Sequence, residues 1–228
     1  MKIWLSLLMS FLIISNFLAI YFLDQPLDRW FRFGATFIFL VIYLLRYFSN
    51  YRLFVIFLLL AICDGMLIYY EIPVLRSIIY LLRILVYINM VYILLPALSK
   101  LKLNSFTISV STFIIAIDLY LLHEMAESLP SGAQHTLSLI LFYLLGLASL
   151  GLATTSLSYM NRYANRNAFF FVIVSFAFIL SDLFYYIAYY LQFEEFYYLD
   201  RLVNIIGMGL LLVFSSKGKL VASKTKIS

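Results

Sequence analysis

Residues 167–192 read NAFFFVIVSFAFILSDLFYYIAYYLQ, 26 positions with one acidic side chain, Asp182, and no basic one. At about 1.5 Å per residue a helix of this length exceeds the roughly 30 Å hydrocarbon core of a bilayer. Strands of a membrane barrel would be about 10 residues long with alternating polarity. This run is apolar on all sides, so it predicts a transmembrane helix. Similar runs lie near 3–23, 32–48, 53–70, 74–98, 105–122, 135–158 and 199–215, separated by short polar joints. The expected fold is all-α: a polytopic transmembrane bundle of about eight helices. It forms a single domain over 1–215, followed by a basic cytoplasmic tail over 216–228.

Composition points the same way. Hydrophobic residues make up 65% of the 228, charged residues 12%, and mean hydropathy is +1.02. Soluble domains carry about 25% charged residues, and a water-soluble globule could not hide this much apolar surface. The length leaves no room for a separate soluble domain. Among the aromatics are 22 Phe and 19 Tyr, and Tyr favours the membrane–water interface. The net charge of +5 comes from cations in short loops and the tail. It therefore signals topology and contact with anionic headgroups rather than nucleic-acid binding. The one cysteine, Cys63, excludes an intramolecular disulfide and any CxxC signature. The run over 3–23 is followed by Asp24-Gln25-Pro26 rather than a small-x-small cleavage site, so it reads as a retained first span.

Charge placement predicts orientation. One set of flanks carries Lys2, Arg46, Arg52, Lys100, Lys102, Arg162, Arg166, Lys217, Lys219, Lys224 and Lys226, with no acidic residue. The alternate flanks carry Arg29, Arg32, Arg76 and Arg201 with Asp24, Asp28, Glu71, Glu124, Glu127, Glu194, Glu195 and Asp200. Cytoplasmic loops are enriched in Lys and Arg, so both the N-terminus and the C-terminus are expected in the cytoplasm.

Four charged residues then remain inside spans: Asp64, Arg83, Asp118 and Asp182. Such residues are costly in hydrocarbon and usually face the bundle interior. Asp64 lies seven positions before Glu71 and Arg83 seven after Arg76, both about 10 Å below the outer boundary. Asp118 lies six before Glu124, and Asp182 twelve before Glu194. All four fall in the outer half or near the midplane, so they can converge on one polar cavity. Asp64 and Asp182 are the candidate catalytic pair, because two carboxyls in a dry pocket can divide acid and base roles. Arg83, Tyr87, Asn89 and Tyr69 are candidate substrate-binding residues, with Asn204 a further lining group. The alternative for Arg83 is a purely structural ion pair with Asp64 or Asp118. A weak internal repeat also relates Cys63-Asp64 and Tyr69-Tyr70 to Ser181-Asp182 and Tyr185-Tyr186.

The segment Asn165-Arg166-Asn167-Ala168, the apolar stretch from Phe169, and Phe178-Ile179-Leu180-Ser181-Asp182 are similar to the penultimate span of the YhhN family of eight-helix membrane proteins. Cys63-Asp64-Gly65 stands where that family carries an acidic residue in an early span. The resemblance covers length, span count and the Asp64–Asp182 separation. It implies a lysoplasmalogenase-type hydrolase that cleaves the vinyl-ether bond of a lysolipid by Asp-based acid/base chemistry. It also implies no cofactor, a membrane lipid or lysolipid as partner, and a bacterial inner (plasma) membrane location. The chain departs from the family at Leu82 to Tyr87, where no His occurs, and at Cys63, where the family has Gly. A noncatalytic lipid-binding or scaffold protein of the same fold, or a small proton-coupled transporter, remains the alternative.

Other chemistries lack their residues. No Lys lies in a span to form a retinal Schiff base. His123 and His135, with Glu124 and Glu127, fall in the loop after the fifth span without HExxH spacing, and no metal site is expected. Ser131-Gly132 has no intramembrane His to serve as base. Gly146, Gly151, Gly207 and Gly209 read as close-packing positions.

Overall fold

Long apolar runs become long helices in a computed structural model, which describes residues 3–48, 50–98, 120, 122–123, 125–126 and 136–217. The helices are α1 (Ile3–Phe22), α2 (Gln25–Ile42, continued by a wider π turn at Tyr43–Tyr47), α3 (Tyr51–Leu67), α4 (Pro73–Leu98), α5 (Thr136–Tyr163), α6 (Arg166–Tyr190) and α7 (Glu195–Lys217). No strand occurs among the described residues. All but the 17-residue α3 are long and apolar enough to cross a membrane, and the chain is an integral membrane protein. The predicted span at 105–122 lies almost wholly outside the described residues.

Local chemistry sets the boundaries. Asn50 caps α3 by accepting the Arg52 N–H, and Asn165 caps α6 by accepting the Ala168 N–H. Pro26 sits in the first turn of α2, where its missing N–H costs nothing. Two expected boundaries need correction. The second span begins at Gln25 rather than 32, because its polar first turns are satisfied by other helices instead of water. The third ends at Leu67, and residues 68–72 form the turn into α4.

Side-chain contacts fix the directions. Arg32 and Thr36 of α2 meet Asp64 of α3, while Tyr43 stacks on Phe57, so α2 and α3 are antiparallel. Phe142–Tyr186 and Tyr159–Phe171 make α5 and α6 antiparallel. Phe184–Phe196 and Phe171–Phe214 do the same for α6 and α7. Phe17 meets Tyr198, and Met9 lies against Gly209, so α1 runs against α7. Ile3 and Lys217 therefore mark one end of the bundle. α4 and α5 run parallel, joined near their starts by Ser77 and Ser138 hydroxyls 2.7 Å apart.

The core between these helices is apolar and closed: Phe39, Ile56, Phe57, Val86, Met90, Phe171, Phe178 and Leu211 are fully buried. On α1 the exposed residues Ile3, Leu7, Phe11, Ile14 and Leu18 form a stripe at helical spacing. An apolar stripe turned outward is what lipid requires. Between α6 and α7 the backbones approach closely at Gly207, where an added Cβ would lie 3.1 Å from the Phe178 ring and 3.2 Å from the Ala177 Cβ. At Gly151 nothing lies within 4 Å. Gly151→Ala is expected to hold or raise the Tm in detergent through helix propensity. Gly207→Val is expected to lower it, at a cost of about 1–3 kcal/mol from overpacking. Equal Tm changes for the two variants would contradict this packing.

Candidate functional site

Arg32, fully buried on α2, is the centre of a string of charges. Its Nε donates to Asp64 Oδ1 of α3 at 3.0 Å, and its Nη1 to Asp200 Oδ2 of α7 at 2.5 Å. Its Nη2 reaches Ser181 Oγ of α6 at 3.4 Å. On one side Asp200 also accepts from Ser181 Oγ at 2.5 Å and Arg201 Nη1 at 2.7 Å. Arg201 continues to Asp28 Oδ2 at 3.1 Å. On the other side Asp64 accepts from Thr36 Oγ1 at 2.5 Å and from Arg83 Nη2 of α4 at 3.5 Å. Arg83 Nε then meets Asp182 Oδ1 of α6 at 3.3 Å, and the Tyr87 hydroxyl donates to Asp182 Oδ2. The string Asp28–Arg201–Asp200–Arg32–Asp64–Arg83–Asp182–Tyr87 thus ties five helices together. Beside it, Arg29 donates to the Leu67 carbonyl at 3.2 Å and pairs with Glu71 at 2.8 Å.

The string ends at a small cavity open on one side. Arg32, Arg83 and Asp182 give it a charged wall. Leu67, Ile79, Phe142 and Leu145 give it an apolar one, and Tyr70, Tyr80, Tyr185 and Tyr186 complete it. The Asp182 side chain is 20% exposed and the Asp64 side chain 1%. Asp64 has both oxygens occupied by donors and does not line the cavity. Two polar atoms on cavity-wall residues, Arg83 Nη1 and Tyr185 Oη, are buried without a hydrogen-bond partner.

The structure brings Asp64, Arg83, Tyr87 and Asp182 together from three helices. The two carboxylates do not touch: they stand on either side of the Arg83 guanidinium. Tyr69 is not part of this site, being 55% exposed beyond the end of α3. Asn89 is not part of it either, because its amide donates to the Leu85 carbonyl of its own helix. Asn204 is buried on α7. Asp118, Glu124, Glu127, Ser131, Gly132 and His135 lie outside the described residues; His123 Nδ1 meets the Tyr143 hydroxyl at 2.9 Å. No cluster of three His, Cys, Asp or Glu side chains suited to a metal occurs among the described residues.

Sequence reading missed half of the string, Asp28, Arg32, Asp200 and Arg201, and the buried Arg29 and Arg76 beside it. Asp28, Arg29, Arg32, Arg76, Asp200 and Arg201 looked like solvated flanks, yet all six are buried. A signal was present: Leu27-Asp28-Arg29-Trp30 and Leu199-Asp200-Arg201-Leu202 repeat an acid–base pair enclosed by apolar residues. A loop has no need of such enclosure.

No family model, curated protein or solved structure matches the chain. Any functional reading rests on the geometry above.

Removing Arg32 would leave Asp64 and Asp200 sharing a dry interior without the cation between them. Breaking a buried pair this way costs about 3–5 kcal/mol. Arg32→Met is therefore expected to lower Tm in detergent far more than Asp182→Asn, which alters the partly exposed end of the string. The reverse order would show that Arg32 is not the keystone.

Proposed function

We propose that this chain is a membrane-embedded hydrolase of the YhhN type that cleaves the vinyl-ether bond of a lysolipid, with Asp182 as the acid/base. The observation that carries the reading is the position of Asp182. It is the carboxylate of the string that lines the cavity, backed by Arg83 and Tyr87 and faced by an apolar wall. A protonated Asp182 donates its proton to the outer vinyl carbon, leaving an oxocarbenium centre next to the ether oxygen. Water adds to that centre, and the Asp182 carboxylate takes its proton back. The resulting hemiacetal breaks its bond to the glycerol oxygen, which receives the hemiacetal proton. The products are a fatty aldehyde and a glycerophospho-head alcohol. Asp64 acts as a positioning residue through Arg83.

The proposed topology is eight crossings with both termini cytoplasmic. The parallel pairing of α4 and α5 supports it, since the intervening chain must return from one end of the bundle to the other. Charge supports the orientation. Arg46, Arg52, Arg162, Arg166 and Lys217 gather at the end that holds Ile3, and Asp24, Glu71, Glu194 and Glu195 at the other.

One observation favours a noncatalytic lipid-binding protein: both Asp182 oxygens already have donors, as in a settled ion pair. Transport is disfavoured, because Val86, Met90 and Phe178 close the bundle beneath the cavity. The test is to incubate the purified protein with a lysoplasmalogen and with an ester lysolipid, measuring aldehyde. Aldehyde is expected from the first substrate only. Asp182→Asn should lower the rate at least about 100-fold in a variant whose Tm stays close to the parent's. Binding without aldehyde from the parent protein would support the noncatalytic reading and end the catalytic one.

A further inference from the structure

Four of the five buried arginines have a carboxylate partner: Arg29 has Glu71, and Arg32, Arg83 and Arg201 belong to the string. Arg76, 8% exposed in the first turn of α4, has none among the described residues. Its Nε donates to the Tyr70 carbonyl at 3.4 Å. Its guanidinium lies 5.1 Å from the Tyr70 ring centroid and 5.9 Å from that of Tyr190. A guanidinium seated on aromatic faces keeps its N–H edge free, and that edge matches two oxygens of a phosphate. The start of α4 adds its own partial positive charge.

Beside Arg76 lie three hydroxyls that bond one another and can donate to a ligand by turning outward. The Tyr70, Tyr80 and Tyr190 hydroxyls form a triangle with sides of 3.1, 3.3 and 3.3 Å. Tyr70 and Tyr80 also line the cavity, so Arg76 stands at its tyrosine rim. Arg76 and Arg83 are seven residues apart on one helix, on nearly the same face and about 10 Å apart along the axis. That spacing suits an extended glycerophosphate between the rim and the Arg83–Asp182 pair.

We propose that Arg76 and the tyrosine triangle form a subsite for a phosphoryl group, the anionic head of a ligand whose remainder enters the cavity. This rests on the cavity being a ligand site, as the proposed function has it, but not on any bond being cleaved there. The test is equilibrium binding to the purified protein in nanodiscs. Three probes are used: a lysophosphatidylethanolamine, a monoacylglycerol of the same chain, and glycerol 3-phosphate.

The parent protein is expected to bind the lysophospholipid about tenfold or more tightly than the monoacylglycerol. Arg76→Gln should erase that preference while leaving monoacylglycerol binding unchanged, which also reports an intact fold. Arg76→Lys, keeping the charge but not the fork, should fall between them and serves if the Gln variant folds poorly. Arg76-dependent binding of glycerol 3-phosphate as tight as that of the lysophospholipid would support the subsite and assign it to a soluble phosphate ester. Equal affinity of the parent for lysophospholipid and monoacylglycerol, or phosphate preference unchanged in both variants, overturns the proposal. A protein that prefers the phosphorylated probe through Arg76 yet releases no aldehyde would keep the subsite and lose the hydrolase.

Discussion

The guanidinium of Arg32, held between Asp64 and Asp200, is the constraint on which the rest of the bundle depends. A charge at the bilayer centre costs about 2.5–3.5 kcal/mol even on the mildest scales. Arg32 and its two partners are each almost wholly buried. They are tolerable only together, and only if α2, α3 and α7 hold the register that puts Nε on one carboxylate and Nη1 on the other. Apolar packing between membrane helices is weakly directional, since lipid tails solvate Leu as well as another helix does. The charges therefore do more to select one arrangement of these helices than to strengthen it.

The same string creates the difference between its two candidate acids. Asp64 receives Arg32, Arg83 and Thr36 and is sealed inside. Asp182 receives Arg83 and Tyr87 and meets the cavity. A carboxylate saturated with donors and closed to ligands can orient its neighbours but cannot exchange a proton with a substrate. The arrangement therefore sets an acid sealed among donors apart from one that meets the cavity. It does so with an arginine between them, rather than with two carboxyls sharing one proton.

Much of the bundle is legible in the sequence because the membrane forbids alternatives: about 20 apolar residues in a row must be a helix. Asp64, Arg83 and Asp182 were legible for the same reason, as charges with no water nearby. Their depths, counted from Glu71, Arg76 and Glu194, already placed Asp64 and Arg83 at one level and Asp182 deeper, all in the outer half or near the midplane. What was not legible is partnership. Asp28, Arg29 and Arg32 have the polarity of a loop, and only the opposite charges on α3, the turn after it and α7, 32 to 173 positions away, make them helix interior. Counting polar residues at a span's edge assumes that water is their only partner. Tyr69 and Asn89 fail for a related reason: residue type and depth say nothing of which face of a helix a side chain occupies.

The closed core also limits what the cavity can hold. Beneath Asp182 lie Tyr87, Met90 and Phe178, all fully buried in a cluster that reaches to Phe171 and Leu211. A hydrocarbon chain whose polar end sits at the Arg83–Asp182 pair cannot continue straight down the bundle axis without displacing that cluster. Its route is sideways, along Phe142 and Leu145, where α5 meets the parallel α4 and exposes Leu137, Ile140, Leu144 and Leu147 outward. A ligand with its charged end at the tyrosine rim, its polar middle at Asp182 and its tail turned toward lipid would meet all three walls at once. A wholly water-soluble ligand would leave the apolar wall unused, and a simple hydrocarbon would leave the charged wall unused.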